Sequence, residues 1–145
     1  SLNSRVEVIA EPINLTELIE DCFLHFKYLP YSDSIDKIIE CKTETPFYAD
    51  KKRLQIVLNN LISNAINYRN PTQVQSFIKI EICTECDTAT IKIQDNGLGI
   101  EEKHIGKIFD MFYRGTTNSA GSGLGLYIVK EALEKMKGKI GVAQE

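Results

Sequence analysis

FIKIEICTECDTATIKIQDNGLGI, residues 77–100, is the stretch on which the fold turns. Residues 77–83 and 88–95 each alternate apolar and polar side chains with period two. A few turn-like residues separate them, and the pattern predicts a β-hairpin. Asp95 ends the second strand. It shares parity with Ile91 and Ile93, so if those isoleucines point into a core, its carboxylate points there too. An inward carboxylate costs several kcal/mol unless it finds a donor. Asp-Asn-Gly is by itself also an ordinary turn sequence. Gly97 and Gly99 give the backbone freedom for a sharp turn there.

Upstream, Asp50 stands at the start of a helical pattern that reaches Tyr68, with Asn70-Pro71 as its stop. At about 100° per residue, Leu54, Leu58, Leu61 and Ala65 form one stripe, expected to face the sheet. Asn60, Asn64 and Asn67 fall on a neighbouring stripe with Tyr68 at its edge. Asn is a poor interior helix former, so three aligned amides mark either a solvated polar face or a binding face. Earlier still, Thr16 is placed to cap a helix whose apolar face carries Leu18, Ile19, Cys22, Phe23 and Phe26. Pro30 and the YSDS stretch end it. Residues 5–10, 38–43 and 47–49 read as short strands.

Downstream of the hairpin, residues 97 to about 123 read as a loop with a short helical piece. A last helix is predicted from about Leu124 to Lys137, with Leu126, Val129, Leu133 and Met136 on its core-facing stripe. KIGVAQ then begins one more strand. The helix opens on GSGLGL, residues 121–126. This lacks the GxGxxG spacing of a dinucleotide fold because position 126 is Leu, and there is no GxxxxGK[ST] in the chain, so a P-loop is excluded. What remains is a glycine-rich turn feeding a helix N-terminus, which is either a flexible connector or a phosphate-binding lip. The elements sum to an α/β (α+β) two-layer sandwich: a mixed, mostly antiparallel sheet with helices packed on one face.

Composition narrows the function classes. A chain of 145 residues suffices for one proper core, and we read 1–145 as a single domain. With a net charge of −3 it offers no basic footprint for a nucleic acid backbone. No apolar run approaches the ~20 residues that span a bilayer. The four cysteines contain one CxxC, Cys83–Cys86, with neither a second such pair nor a histidine pair near it. They read as reduced thiols of a cytosolic protein rather than a metal site. His25 and His104 are the only histidines, and both read as incidental.

NNLISNAINY (59–68), DNGLGI (95–100), FDMFYRG (109–115) and GSGLGL (121–126), in this order, resemble the nucleotide-binding apparatus of the sensor histidine kinase catalytic domain, of the GHKL or Bergerat fold. The resemblance covers roughly residues 5–145. It implies ATP and Mg²⁺ as cofactors. Asn64 would offer its side-chain oxygen to the ion and Asn60 would support it through water; oxygen ligands suit this metal. Tyr68 would lie near the nucleotide. Asp95 would accept the exocyclic amine of adenine and so select ATP over GTP. Gly97 and Gly99 would let the backbone lie against the base. Gly121, Gly123, Gly125 and Leu126 belong to the second glycine box, at the phosphates. Arg114 would reach the γ-phosphate from a lid of about residues 97–123, whose Phe109, Phe112 and Tyr113 would also dock on the phosphoacceptor helices.

By the same resemblance the partners are a dimerisation and phosphoacceptor domain of the parent kinase, and then a response regulator. Neither nucleic acid nor membrane contact is expected. The domain would be cytoplasmic, in a parent that is either membrane-anchored or not. Neither histidine has phosphoacceptor surroundings, so the chain is expected to lack that domain and not to phosphorylate itself. The resemblance also implies a further glycine-containing turn and a final strand after KIGVAQE, so the domain is expected to be truncated in its C-terminal strand or strands. Kinases of this family commonly carry Lys where this chain has Asn67, and Arg69 lies about 200° around the helix from it. Two other readings stand. In hydrolases of the same fold a Glu general base occupies the position of Asn60. A degenerate nucleotide-binding or docking module would explain Asn67.

Overall fold

The computed structural model describes residues 7–42, 45–85, 88–98 and 125–138. Its elements are β1 (Glu11–Pro12), α1 (Leu15–His25), β2 (Ile35–Cys41), β3 (Tyr48–Ala49), α2 (Lys51–Asn67), β4 (Ser76–Glu85), β5 (Thr88–Asp95) and α3 (Gly125–Lys135). A three-stranded sheet has the order β2-β4-β5, with β2 parallel and β5 antiparallel to β4. β1 and β3 form a separate antiparallel pair. The sheet is mixed, as expected, and α1 and α2 cover one of its faces.

The hairpin alternation works out as read. Ile78, Ile80 and Ile82 are buried, opposite Asp95, Ile93 and Ile91. They pack with Leu15, Leu18, Ile19, Cys22 and Phe23 of α1 and with Leu54, Leu58, Ile62 and Ile66 of α2. Each fully buried isoleucine contributes about 1.5–3 kcal/mol. The opposite face carries Glu40, Lys79 and Glu81, with Lys79 Nζ 3.5 Å from Glu40 and 3.4 Å from Glu81. Lys42 lies 3.2 Å from Glu40. A hydrogen bond from Lys42, then the charge of Lys79, holds the Glu40 carboxyl below its usual range. One face is oily and one is charged, so the sheet packs on one side.

Four expectations need correction. Residues 7–10 are not a strand: Glu7 and Ile9 are instead tied to the start of α2, by Arg53 Nη1 donating to the Glu7 carbonyl (3.2 Å) and Ile9 N–H donating to Asp50 Oδ2 (3.3 Å). The cap of α1 is Asn14, not Thr16. Its Oδ1 accepts from Glu17 N–H at 3.1 Å, and burial of Leu15 starts the helix one residue before Thr16. β2 begins at Ile35 rather than Ile38, because Ile35 is itself core. Leu61 faces α3 instead of the sheet, while Ile62 and Ile66 take the sheet-facing positions. Thus α2 has two apolar faces.

Asp50 caps α2 as read, its Oδ1 accepting from Arg53 N–H at 3.3 Å. Its Oδ2 also takes a 2.7 Å bond from Arg53 Nη1, with both side chains almost fully buried. This buried pair, invisible to the periodicity argument, pins the N-terminal segment. The helix ends at Asn67 with Tyr68 as its C-cap, and Asn70 Oδ1 forms a local turn with Thr72 N–H (3.0 Å) before the chain enters β4. The expected strand at 139–144 lies outside the described residues.

Candidate functional site

The last turn of α2 and the end of β5 meet. Tyr68 N–H donates to the Asn64 carbonyl (2.9 Å), closing the helix. The Tyr68 carbonyl, left without an intrahelical partner as helix ends are, accepts instead from Leu98 N–H at 2.9 Å. The DNG turn is thereby docked on the C-cap of the asparagine helix. Two sequence signals about thirty residues apart thus become one surface. Gly97 is needed for the contact. A Cβ there would sit 2.7 Å from the Tyr68 carbonyl oxygen and 2.8 Å from Asp95 Oδ1, and the former is backbone that has nowhere to go. The structural demand for glycine comes from the protein's own helix end.

Asp95 keeps the expected parity but not the expected burial. It sits opposite buried Ile78 on the core-facing row, yet at the strand end, where the residue is exposed. Its Oδ1 accepts from Gly97 N–H at 2.8 Å. One of the donors this carboxylate needs is therefore internal, and no described residue donates to Oδ2. Asn96, which the motif reading passed over, reaches sideways to β4: Oδ1 accepts from Phe77 N–H and Nδ2 donates to the Gln75 carbonyl, both at 2.9 Å. An Asn directly before a glycine at a strand end was the available signal.

On α2, Asn60 and Asn64 are half-buried, Asn67 is exposed and Tyr68 is half-buried. Asn60 Nδ2 donates to the Ile56 carbonyl at 2.8 Å, which orients its oxygen outward from the helix backbone. Among the described residues no hydrogen-bond partner reaches the Asn64 carboxamide. A half-buried amide without a partner fits an oxygen ligand to a hydrated cation. Arg69 is engaged elsewhere: its guanidinium stacks on the Tyr31 ring, 3.5 Å from the centroid. It does not replace the missing lysine at position 67.

α3 packs on α2 through Ala132, Leu133 and Met136 against Val57 and Leu61. Gly125 opens α3. The side chain of Leu126, together with Gly99, Arg114, Gly121, Gly123 and the aromatics of 109–113, lies outside the described residues. Among the described residues no cluster of three His, Cys, Asp or Glu side chains offers a metal site, and no helix is long and apolar enough to cross a membrane. A cleft of about 550 Å³, between β1, the start of α1 and the Cys41/Ile82/Thr84 end of the sheet, lies at the far end from Asp95.

Residues 49–145 match the family described as histidine kinase-, DNA gyrase B-, and HSP90-like ATPase. The sensor protein IrlS of Burkholderia pseudomallei is 39% identical over 122 residues, 81% of this chain and 26% of that protein. The sensor histidine kinase YvrG of Bacillus subtilis is 32% identical over 98% of this chain and 26% of its own length. This chain therefore spans about a quarter of either relative. The catalytic domain of the histidine kinase ThkA superposes with a TM-score of 0.71 at 30% identity, over 90% of this chain and 82% of that one. The chain belongs to the histidine kinase-, DNA gyrase B- and HSP90-like ATPase family, as an ATP-binding catalytic domain of the sensor-histidine-kinase kind.

Proposed function

We propose that this domain presents Mg-ATP to a histidine on a separate dimerisation domain of its parent protein, in the cytoplasm, and that a response regulator takes the phosphoryl group afterwards. The observation that carries the reading is the docking of the Asp95–Leu98 turn on the C-cap of the asparagine helix, through the 2.9 Å bond from Leu98 N–H to the Tyr68 carbonyl. That contact ties the turn that carries the proposed base-recognising carboxylate to the end of the helix that carries the proposed metal-recognising amide. Asp95, with Oδ1 held by Gly97 N–H, accepts the adenine amine. Guanine presents a carbonyl oxygen at that place and is refused. Tyr68 flanks the nucleotide. Asn64 would hold Mg²⁺ through its neutral side-chain oxygen, and Asn60 would support the ion through water. When bound, Mg²⁺ neutralises phosphate charge. Gly99, Gly121, Gly123, Gly125 and Leu126 are assigned to the nucleotide, and Arg114 to the γ-phosphate, on the family motifs alone.

The domain's share of the chemistry is positioning and charge stabilisation, since the nucleophile is the acceptor imidazole. Hydrolysis is disfavoured at one residue. Asn60 stands one helical turn before Asn64 and carries a carboxamide bonded to the Ile56 carbonyl, which cannot take a proton from water as a carboxylate does. The test supplies the parent's dimerisation hairpin in trans with radiolabelled ATP. Phosphohistidine that disappears with Asn64→Ala is expected. Steady ATP hydrolysis without transfer supports the hydrolase instead. ATP binding without phosphohistidine supports a docking module.

A further inference from the structure

The backbone ladder between β4 and β5 ends at the pair Ile78–Asp95, and pairing continues past it through one side chain. Asn96 Oδ1 accepts from Phe77 N–H and its Nδ2 donates to the Gln75 carbonyl, each at 2.9 Å. A carboxamide has the donor and acceptor of a peptide group, so the Asn96 side chain takes the place of a further rung while its own backbone leaves the sheet. The chain then turns through Gly97, whose N–H meets Asp95 Oδ1, and reaches the Tyr68 carbonyl through Leu98 N–H. The turn is therefore clamped on both sides, to β4 by Asn96 and to α2 by Leu98. Asp95 lies between the clamps, exposed and with no other partner among the described residues.

We infer that Asn96 is a positioning residue for base recognition: its two bonds to β4 fix the rotation of the 95–97 turn and thus the direction of the free Asp95 oxygen. This rests on the proposed role of Asp95. Without the clamp the strand end frays by a residue, and Asp95 samples orientations that no longer favour an amine over a carbonyl. Base selectivity then falls, although Asn96 touches no ligand. Its side chain is occupied by Phe77 and Gln75, which separates positioning from contact.

The experiment titrates the full chain with non-hydrolysable adenine and guanine triphosphate analogues, comparing wild type, Asn96→Ala, Asn96→Asp and Asp95→Asn, with amide exchange at Phe77 recorded for each. Asn96→Ala is expected to lose Phe77 protection and about tenfold in adenine affinity, the scale of one net hydrogen bond expressed as a ratio. The adenine-over-guanine ratio is expected to shrink by a similar factor. Asn96→Asp keeps the acceptor for Phe77 but not the donor for Gln75, so it should fall between. An unchanged ratio in Asn96→Ala, whether affinity is kept or lost equally for both bases, overturns the inference. If Asn96→Ala does not fold, an unchanged ratio in Asn96→Asp overturns it. Asp95→Asn reports on the reading beneath: if it retains adenine affinity, Asp95 is not the base acceptor. If Asp95→Asn fails while Asn96→Ala matches wild type, only the positioning role is lost.

Discussion

Asp50 and Arg53 show how much one buried pair decides. Asp50 caps α2, holds the guanidinium at 2.7 Å and accepts from Ile9 N–H, while Arg53 also grips the Glu7 carbonyl. Removing one member strands the other's charge, so Arg53→Ala is expected to cost about 3–5 kcal/mol in urea unfolding. The double change with Asp50→Ala should cost less than the sum of the singles, because one network is being removed twice; additive costs would contradict a shared network. Cys22 makes a second residue-scale prediction. Burial, then the charge of Asp21, pushes its thiol up to about 11. A folded-state value above the unfolded one means that its contribution to stability is intact below the ordinary thiol range and is lost as pH climbs toward 11. At neutral pH a thiol reagent should therefore modify exposed Cys41 well before Cys22. Equal rates would show that the α1 core opens readily.

Among the elements, α2 is central because it has two apolar faces and a polar edge. Leu54, Leu58, Ile62 and Ile66 hold it to the sheet, Val57 and Leu61 hold α3, and the asparagines lie beside them. Leu61→Ala should speed hydrogen exchange across α3 while the β4–β5 amides keep their protection; uniform loss of protection would mean that α3 is not docked separately. The hairpin was legible down to register parity, since alternation records which side of a pleat is buried. The asparagine helix was legible to within a residue at either end. Its second face was not, because Leu61 and Ile62 are equally apolar and only α3 tells them apart. The strand expected at 5–10 is absent over the described residues 7–10 for a similar reason: Val8 and Ile9 alternate well, but they are substantially exposed, and the segment is tied down by a charge pair with no periodic signature. Gly97 was legible as a necessary glycine, whereas the Tyr68 carbonyl that requires it needed three-dimensional placement.

For the molecule as a whole, the one-sided sheet leaves its outer face to the Lys42–Glu40–Lys79–Glu81 charge ladder and gathers the candidate site where the β5 end meets the α2 end. Motif order was enough to indicate the family, and the described residues bring two of those motifs, the asparagine helix and the Asp95–Leu98 turn, into contact. What motif order left out was the bracing around it, Asn96 to β4 and Leu98 to α2. A candidate site that pairs an exposed carboxylate with an unpartnered amide should take up an adenine nucleotide with help from a divalent ion, even with Asn67 in place of lysine. The most direct measurement is a calorimetric titration with a non-hydrolysable ATP analogue, with and without Mg²⁺, on wild type and Asp95→Asn. The account predicts binding strengthened by magnesium in the wild type and largely abolished by Asp95→Asn, which sets an amide donor against the adenine amine. Undiminished binding by Asp95→Asn, or none by the wild type, would contradict it.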